Sequence, residues 1–142
     1  MDFPSLPDPA WRPKPTGLDL ATLAKLRGDI GDDEVLRRFA RAYLTALPDR
    51  IDDVERGLHN GESGRVRHEV RGISAAGSMF GLVMLAQRCA DIESVLDACA
   101  SGMLSDQVSE RLMADTRAAA MVALLTLPRA LDSLSNGYAS SR

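Results

Sequence analysis

This chain of 142 residues has few aromatic residues and little net charge. Aromatic residues make up only 4 %, and the hydrophobic residues, 45 % of the chain, are mostly Leu, Ala, Val and Met. That mixture favours helix over sheet. The formal net charge is −3, with 17 Lys and Arg against 20 Asp and Glu, whereas a general nucleic-acid binder normally carries a basic face. We therefore expect a helical protein that has no nucleic acid among its partners.

Long apolar runs are also missing. A segment that spans a bilayer needs roughly 18 consecutive apolar residues, and no uninterrupted run approaches that length. The N-terminal stretch MDFPSLPDPAWRPKP lacks the basic start and the apolar stretch of a signal peptide. We therefore expect a cytoplasmic protein that does not associate with a membrane.

Cysteine and histidine are rare, with two of each. Cys89 and Cys99 lie in one predicted helix, where their separation in sequence puts the α-carbons about 15 Å apart, too far for a disulfide. We expect both thiols to be reduced and buried. Because no Cys/His cluster is present, we predict no metal site in this chain.

Proline divides the chain into an arm and a helical body. Five of the seven prolines fall in residues 1–17, a density that permits only extended or polyproline structure. Over residues 18–136, apolar residues recur at spacings of three and four, the period of an amphipathic helix. We therefore predict a Pro-rich N-terminal arm over 1–17, one helical domain over 18–136 and a flexible C-terminal tail over 137–142.

Capping residues and glycines divide the helical body into five predicted helices. Pro48 is expected to kink the second helix or split it in two, Pro128 to kink or break the last, and Phe39 to face the core. Amphipathic helices with short connections bury their apolar faces most simply against each other. The predicted fold is all-α, an antiparallel four-helix bundle with a short extra N-terminal helix. The expected boundaries, in chain order, are Asp19 to Gly28–Gly31, Asp32 or Asp33 to Asn60–Gly61, Glu62 to Phe80, Leu82 to Ser101–Gly102, and Asp106 to Leu134.

One histidine stands on the outer side of the third predicted helix. The apolar stripe from Val66 to Phe80 sets the core direction, and a rotation of about 100° per residue turns His68 roughly 160° away from it. Arg71, three residues later, shares that side. An idle helix face usually carries Lys, Glu and Gln, so a face of small residues is a candidate contact surface; the alternative is an ordinary surface histidine beside glycines that allow close packing. The small residues of this face are Gly64, Gly72 and Ala75.

The sequence around His68 resembles the histidine-containing phosphotransfer (HPt) family, which consists of helical-bundle modules of two-component phosphorelays. The family signature is a helix with His-x-x-Lys/Arg-Gly, and His68, Arg71 and Gly72 match it. Small residues, a glycine and a Leu-rich helix follow in the family, and the stretch SMFGL at residues 78–82 is similar to that second part. The resemblance covers residues 18 to 100.

The resemblance implies a phosphoryl carrier rather than an independent catalyst. His68 would accept a phosphoryl group from an aspartyl phosphate, and Arg71 would stabilise its oxygens. The implied partners are a response-regulator receiver domain, a histidine kinase or both, and Gly64, Gly72 and Ala75 would form the docking face for the receiver. No cofactor is implied for this chain, because Mg²⁺ would be held by the acidic pocket of the receiver.

The spacing after His68 departs from the family pattern. In the family the acceptor histidine usually lies about ten residues before the glycine that corresponds to Gly81, and here the separation is thirteen. An alignment without gaps places Arg71 at the acceptor position instead. Three interpretations stay open: a carrier that uses His68, a degenerate adaptor that binds a receiver or kinase without phosphotransfer, and an unrelated helical interaction module.

Overall fold

The elements of secondary structure in the described part of the chain are all helices. The computed structural model describes residues 17–101 and 103–140, with side chains up to residue 136, and in these residues there is no strand. The all-α prediction is confirmed. The predicted arm over 1–17 lies outside the described residues, except for Gly17. The helices are α1 (Leu20–Ile30), α2 (Asp33–His59), α3 (Ser63–Met79), α4 (Val83–Ala98) and α5 (Asp106–Ser140).

Aspartate side chains start the first two helices, as their positions in the sequence predict. Asp19 Oδ1 accepts a hydrogen bond from the backbone N–H of Thr22 at 3.3 Å, and Asp32 Oδ1 accepts one from Glu34 at 2.9 Å. These bonds satisfy donors that the first turn of a helix leaves without partners. α1 ends at Gly31, whose φ of +74° lies in the left-handed region that favours glycine. Local chemistry therefore sets these boundaries.

Both internal prolines lie inside continuous helices. α2 runs through Pro48 for 27 residues, so it is one helix rather than two, and α5 runs through Pro128 for 35 residues without a break. Proline removes one backbone hydrogen bond from a helix, and packing on either side offsets the loss. The preceding residues, Leu47 and Leu127, are fully buried. α5 continues to Ser140 and so includes the start of the segment predicted as a tail.

Each of the four longer helices packs against two of the others. α2 contacts α3, α3 contacts α4, α4 contacts α5, and α5 contacts α2, while α1 packs on α2 and α3. Most residues of the predicted apolar stripes face the interior, but Leu20 on α1 and Val108 on α5 are exposed. Phe39 is also exposed, at 57 %, and Ala40 is buried in its place. Either position fits the spacing between Leu36 and Tyr43, so periodicity could not decide between them.

The segment before α1 is attached to the turn between α3 and α4. Leu18 and Leu82 form an isolated antiparallel bridge, and the Asp19 N–H donates to the Gly81 carbonyl at 2.7 Å. Gly81 has a φ of +79°, and a Cβ at this position would collide with the Asp19 backbone. The glycine that the family resemblance singled out is therefore required by this turn.

Candidate functional site

His68 is exposed on the outer side of α3. The buried residues of this helix face α2 and α4, and helical geometry places His68 on the opposite side. In the part of the chain that the structure describes, no hydrogen bond or ion pair engages its side chain. An imidazole in this situation can meet an approaching group without first giving up a partner. The buried residues that define the inner side are Val66, Val70, Ile73 and Gly77.

Arg71 is exposed but forms an ion pair across to α4. Its Nε donates to Glu93 Oε2 at 2.8 Å, and a second ion pair of 2.9 Å, between Arg67 and Asp97, joins the same two helices one turn earlier. Ion pairs that are open to solvent contribute about 0–1 kcal/mol. An anion that arrives at this face can therefore compete with Glu93 for the Arg71 guanidinium at small cost.

Gly72 is half-buried beneath an arginine from α2. Arg50 Nε donates to Glu69 Oε1 at 3.0 Å, and the guanidinium lies so close to Gly72 that a Cβ there would collide with Nη2. The missing side chain thus makes room for an arginine of the same chain. A partner that approaches this position meets the Arg50 guanidinium before it meets the α3 backbone.

The two remaining residues of the predicted docking face are open. Among the described residues, no atom beyond the adjoining part of α3 lies within 4 Å of the position that a Cβ on Gly64 would take, and Ala75 is exposed. The structure therefore places Gly64, His68 and Ala75 on the outer side of α3. Arg71 and Gly72 lie on its flanks, toward α4 and α2 respectively.

An apolar groove that the sequence analysis did not predict adjoins this face. Its volume is about 340 Å³, and Phe39 and Met79 at its rim are each 57 % exposed. Grouped exposed apolar side chains mark contact surfaces more often than isolated ones do. Ala75 and Met79 are neighbours one turn apart on α3, so the groove continues the face that contains His68. The lining comes from α1, α2 and α3 and consists of Leu26, Ile30, Phe39, Ala42, Tyr43, Ala76, Met79 and Phe80.

Tyr43 holds α3 in place behind the groove. Its Oη donates to the Ile73 carbonyl at 2.7 Å, and its ring packs on Phe80 with the centroids 5.4 Å apart. Gly77 permits this approach, since a Cβ there would lie 2.9 Å from Oη. Burial raises the pKa of Tyr43 above its ordinary value, so the hydroxyl keeps the proton that it donates.

The described helices do not form a metal site, and one of them could span a membrane by length and composition. Within residues 17–101 and 103–140, no three His, Cys, Asp or Glu side chains come together as a metal site would need. Cys89 is buried, whereas Cys99 is only half-buried, contrary to expectation, and among the described residues neither cysteine forms a disulfide. By length and composition alone, the 31 residues from Asp106 to Asn136 in α5 could cross a membrane. Core helices of soluble proteins share these properties, and the absence of membrane association stays a prediction.

Fold and site together define an all-α protein whose third helix presents an exposed histidine next to an apolar groove. Comparison of the chain with protein-family models, curated proteins and solved structures finds no match. The HPt resemblance therefore depends on the residues of this chain alone, chiefly His68, Arg71, Gly72 and Gly81.

Proposed function

We propose that the chain is a histidine phosphotransfer module that carries a phosphoryl group between receiver-domain aspartates, or from a histidine kinase system, in a two-component phosphorelay. On this proposal, α2 to α5 form an antiparallel four-helix bundle. The observation that carries the proposal is the placement of His68 in a His-x-x-Arg-Gly sequence on α3, where it is exposed and has no hydrogen-bond or ion-pair partner among the described residues. The adjoining apolar groove supplies contact area for a partner.

The transfer step needs few groups from this chain. A neutral imidazole nitrogen of His68 attacks the phosphorus of the receiver's aspartyl phosphate, an N–P bond forms, and the P–O bond to the aspartate breaks to release its carboxylate. Arg71 exchanges Glu93 for the phosphoryl oxygens. Mg²⁺ held by the acidic pocket of the receiver would balance the remaining charge, so this chain would need no metal or cofactor of its own. Such a relay operates in the cytoplasm.

Direct detection of phosphohistidine tests the carrier function. The full chain is incubated with receiver domains that have been phosphorylated by acetyl phosphate. We expect an acid-labile, base-stable phosphoryl adduct on His68. His68→Gln should abolish it while leaving the circular dichroism spectrum unchanged, because the side chain is exposed. His59→Gln is the matched control, since His59 is also exposed and lies outside the face. Full uptake by His68→Gln would disprove the assignment.

A second function, that of an adaptor without phosphotransfer, is favoured by the surroundings of Arg71. The gapless alignment puts Arg71 at the acceptor position, and Glu93 holds its guanidinium there. An adaptor would bind a receiver or a kinase through the same face, and His68→Gln would bind as well as the wild type. Binding without any phosphohistidine would establish this function, whereas a chain that binds neither partner would be an unrelated interaction module.

A further inference from the structure

The outer side of α5 is apolar in the middle of the helix, in contrast to the outer side of α2, the other long helix. No charged residue lies between Arg117 and Arg129, and Met121 and Leu125 are 57 % and 56 % exposed. A helix that is apolar on both sides is normally covered on both. The exposed residues of α2 include many charged ones: Glu34, Arg38, Arg41, Asp49, Glu55 and Arg56. The exposed apolar residues between Arg111 and Asp132 of α5 are Ala114, Ala118, Met121, Leu125 and Pro128, here called the α5 stripe.

The α5 stripe has the repeat of a helix that packs against another helix. Arg111 and Asp132 extend the stripe by one residue at each end. From Arg111 to Asp132 the residues are then separated alternately by three and four positions. This spacing keeps them on one side of a helix, where they can form a seam with a second helix. At a rise of about 1.5 Å per residue, the seam is about 30 Å long. Its partner is therefore expected to be an extended helix rather than a small molecule.

The charges at the two ends of the stripe are complementary to those of a second copy of α5 in antiparallel orientation. A two-fold axis between residues 121 and 122 places Arg111 opposite Asp132 and brings Asp115 beside Arg129 of the other copy. The same axis lies close to Met121, which is the midpoint of the α5 stripe. A parallel pair would instead set each charge against its own copy, which is repulsive.

These charged side chains are accessible for such pairing. Arg111, Asp115 and Arg129 are exposed and hold no ion pair among the described residues. Asp132 accepts a hydrogen bond from Arg37 at 2.6 Å, yet its side chain is mostly exposed. Isologous contacts of this kind close into dimers and do not propagate.

We propose that the α5 stripe is a homodimer interface in which the α5 helices of two copies pack antiparallel. A seam about 30 Å long and 10 Å wide buries on the order of 300 Å² of each copy, less than stable complexes bury, so the dimer is weak. α3 packs on the same two neighbours as α5, namely α2 and α4, and does not form part of the stripe. Both His68 faces thus stay open in the dimer, and the interface does not depend on phosphotransfer.

Sedimentation equilibrium of the full chain over about 5 to 500 µM tests the interface. We expect a monomer–dimer equilibrium whose Kd rises at least about a hundredfold in Leu125→Glu, because two charges would enter the apolar seam. Leu20→Glu is the matched control, since Leu20 is 53 % exposed on α1, and it should leave Kd unchanged. Thermal melts check that both variants are folded.

Charge reversal tests the orientation of the two helices. Asp115→Arg and Arg129→Asp should each raise Kd about three- to tenfold, and the double variant should return it close to the wild-type value. In a parallel pair neither change would matter, because each residue would meet its own copy. The proposal is overturned if the wild type stays monomeric throughout, or if the charge reversals have no effect on a dimer. It is also overturned if the monomer binds anionic phospholipid vesicles through Leu125, because lipid would then cover the stripe.

Discussion

Replacement of Phe39 by alanine should weaken the binding of a receiver domain to this protein. Phe39 and Met79 are the most exposed apolar side chains at the rim of the groove between α1, α2 and α3. If a receiver docks on the α3 face, it covers this groove as well. Phe39→Ala removes the largest of the side chains that the partner would bury.

The magnitude follows from the exposed fraction. A phenylalanine side chain buries roughly 150–250 Å² when it is fully enclosed. Because 57 % of Phe39 is exposed, about 100 Å² remains for a partner to cover. At about 25 cal/mol per Å², this area corresponds to about 2.5 kcal/mol, or roughly a sixtyfold increase in Kd. The part of the ring that packs within the chain itself contributes about 1–2 kcal/mol to folding stability, and a domain of this size remains folded without it.

Isothermal titration of a receiver domain into the full chain measures the effect, and thermal melts confirm that each variant is folded. Leu125→Ala is the matched control, because Leu125 is equally exposed at 56 % but belongs to the α5 stripe. We expect its receiver affinity to stay within about twofold of the wild type. Unchanged affinity in Phe39→Ala, or the same loss in both variants, would show that the receiver does not dock beside α3.

Three further predictions concern the same face and its support. Ala75→Arg should weaken receiver binding by about 2 kcal/mol or more through a clash and an unpaired charge, while Glu110→Arg on α5 should not; calorimetry with both variants decides. Tyr43→Phe should lose the hydrogen bond to the Ile73 carbonyl and about 1 kcal/mol of stability, lowering Tm by roughly 3–6 °C; a shift below about 1 °C in a thermal melt would contradict the role of this bond. Burial raises the pKa of the Cys89 thiol to about 12, so the folded state holds its proton after the unfolded chain has ionised. The contribution of the Cys89 thiol to stability is therefore complete below about pH 9. It declines by up to about 1.4 kcal/mol per pH unit as the pH rises toward 12. Urea unfolding of Cys89→Ala should show a smaller decline of the unfolding free energy over this pH range than the wild type does.

Helix positions were largely predictable because capping acts over a few residues. The carboxylates of Asp19 and Asp32 satisfy N–H groups two or three positions ahead, and Gly31 ends α1 by its own backbone conformation. The effect of the internal prolines on their helices could not be predicted in this way. Whether Pro48 splits a helix depends on how much packing offsets the missing hydrogen bond, and that packing comes from helices distant in sequence.

In the candidate site, too, features that depend on one helix could be predicted, whereas contacts between helices could not. The period of α3 was sufficient to place His68 and Ala75 on the outer side, since that depends on one helix alone. Periodicity does not say which residue of another helix lies across from a given side chain. The pairing of Arg71 with Glu93 and the position of Arg50 over Gly72 therefore emerged only from the tertiary structure.

The apolar groove shows the same limit most clearly. Three helices build it, and Phe39 contributes to it only because Ala40, not Phe39, turned into the core. The sequence by itself determined the helices, their approximate ends and the exposure of His68, because these depend on interactions within a few residues. Tertiary packing decided the partners of Arg50 and Arg71, the continuity of the two helices that contain proline, and the shape of the groove. Each of these depends on the relative placement of residues that are far apart in the chain.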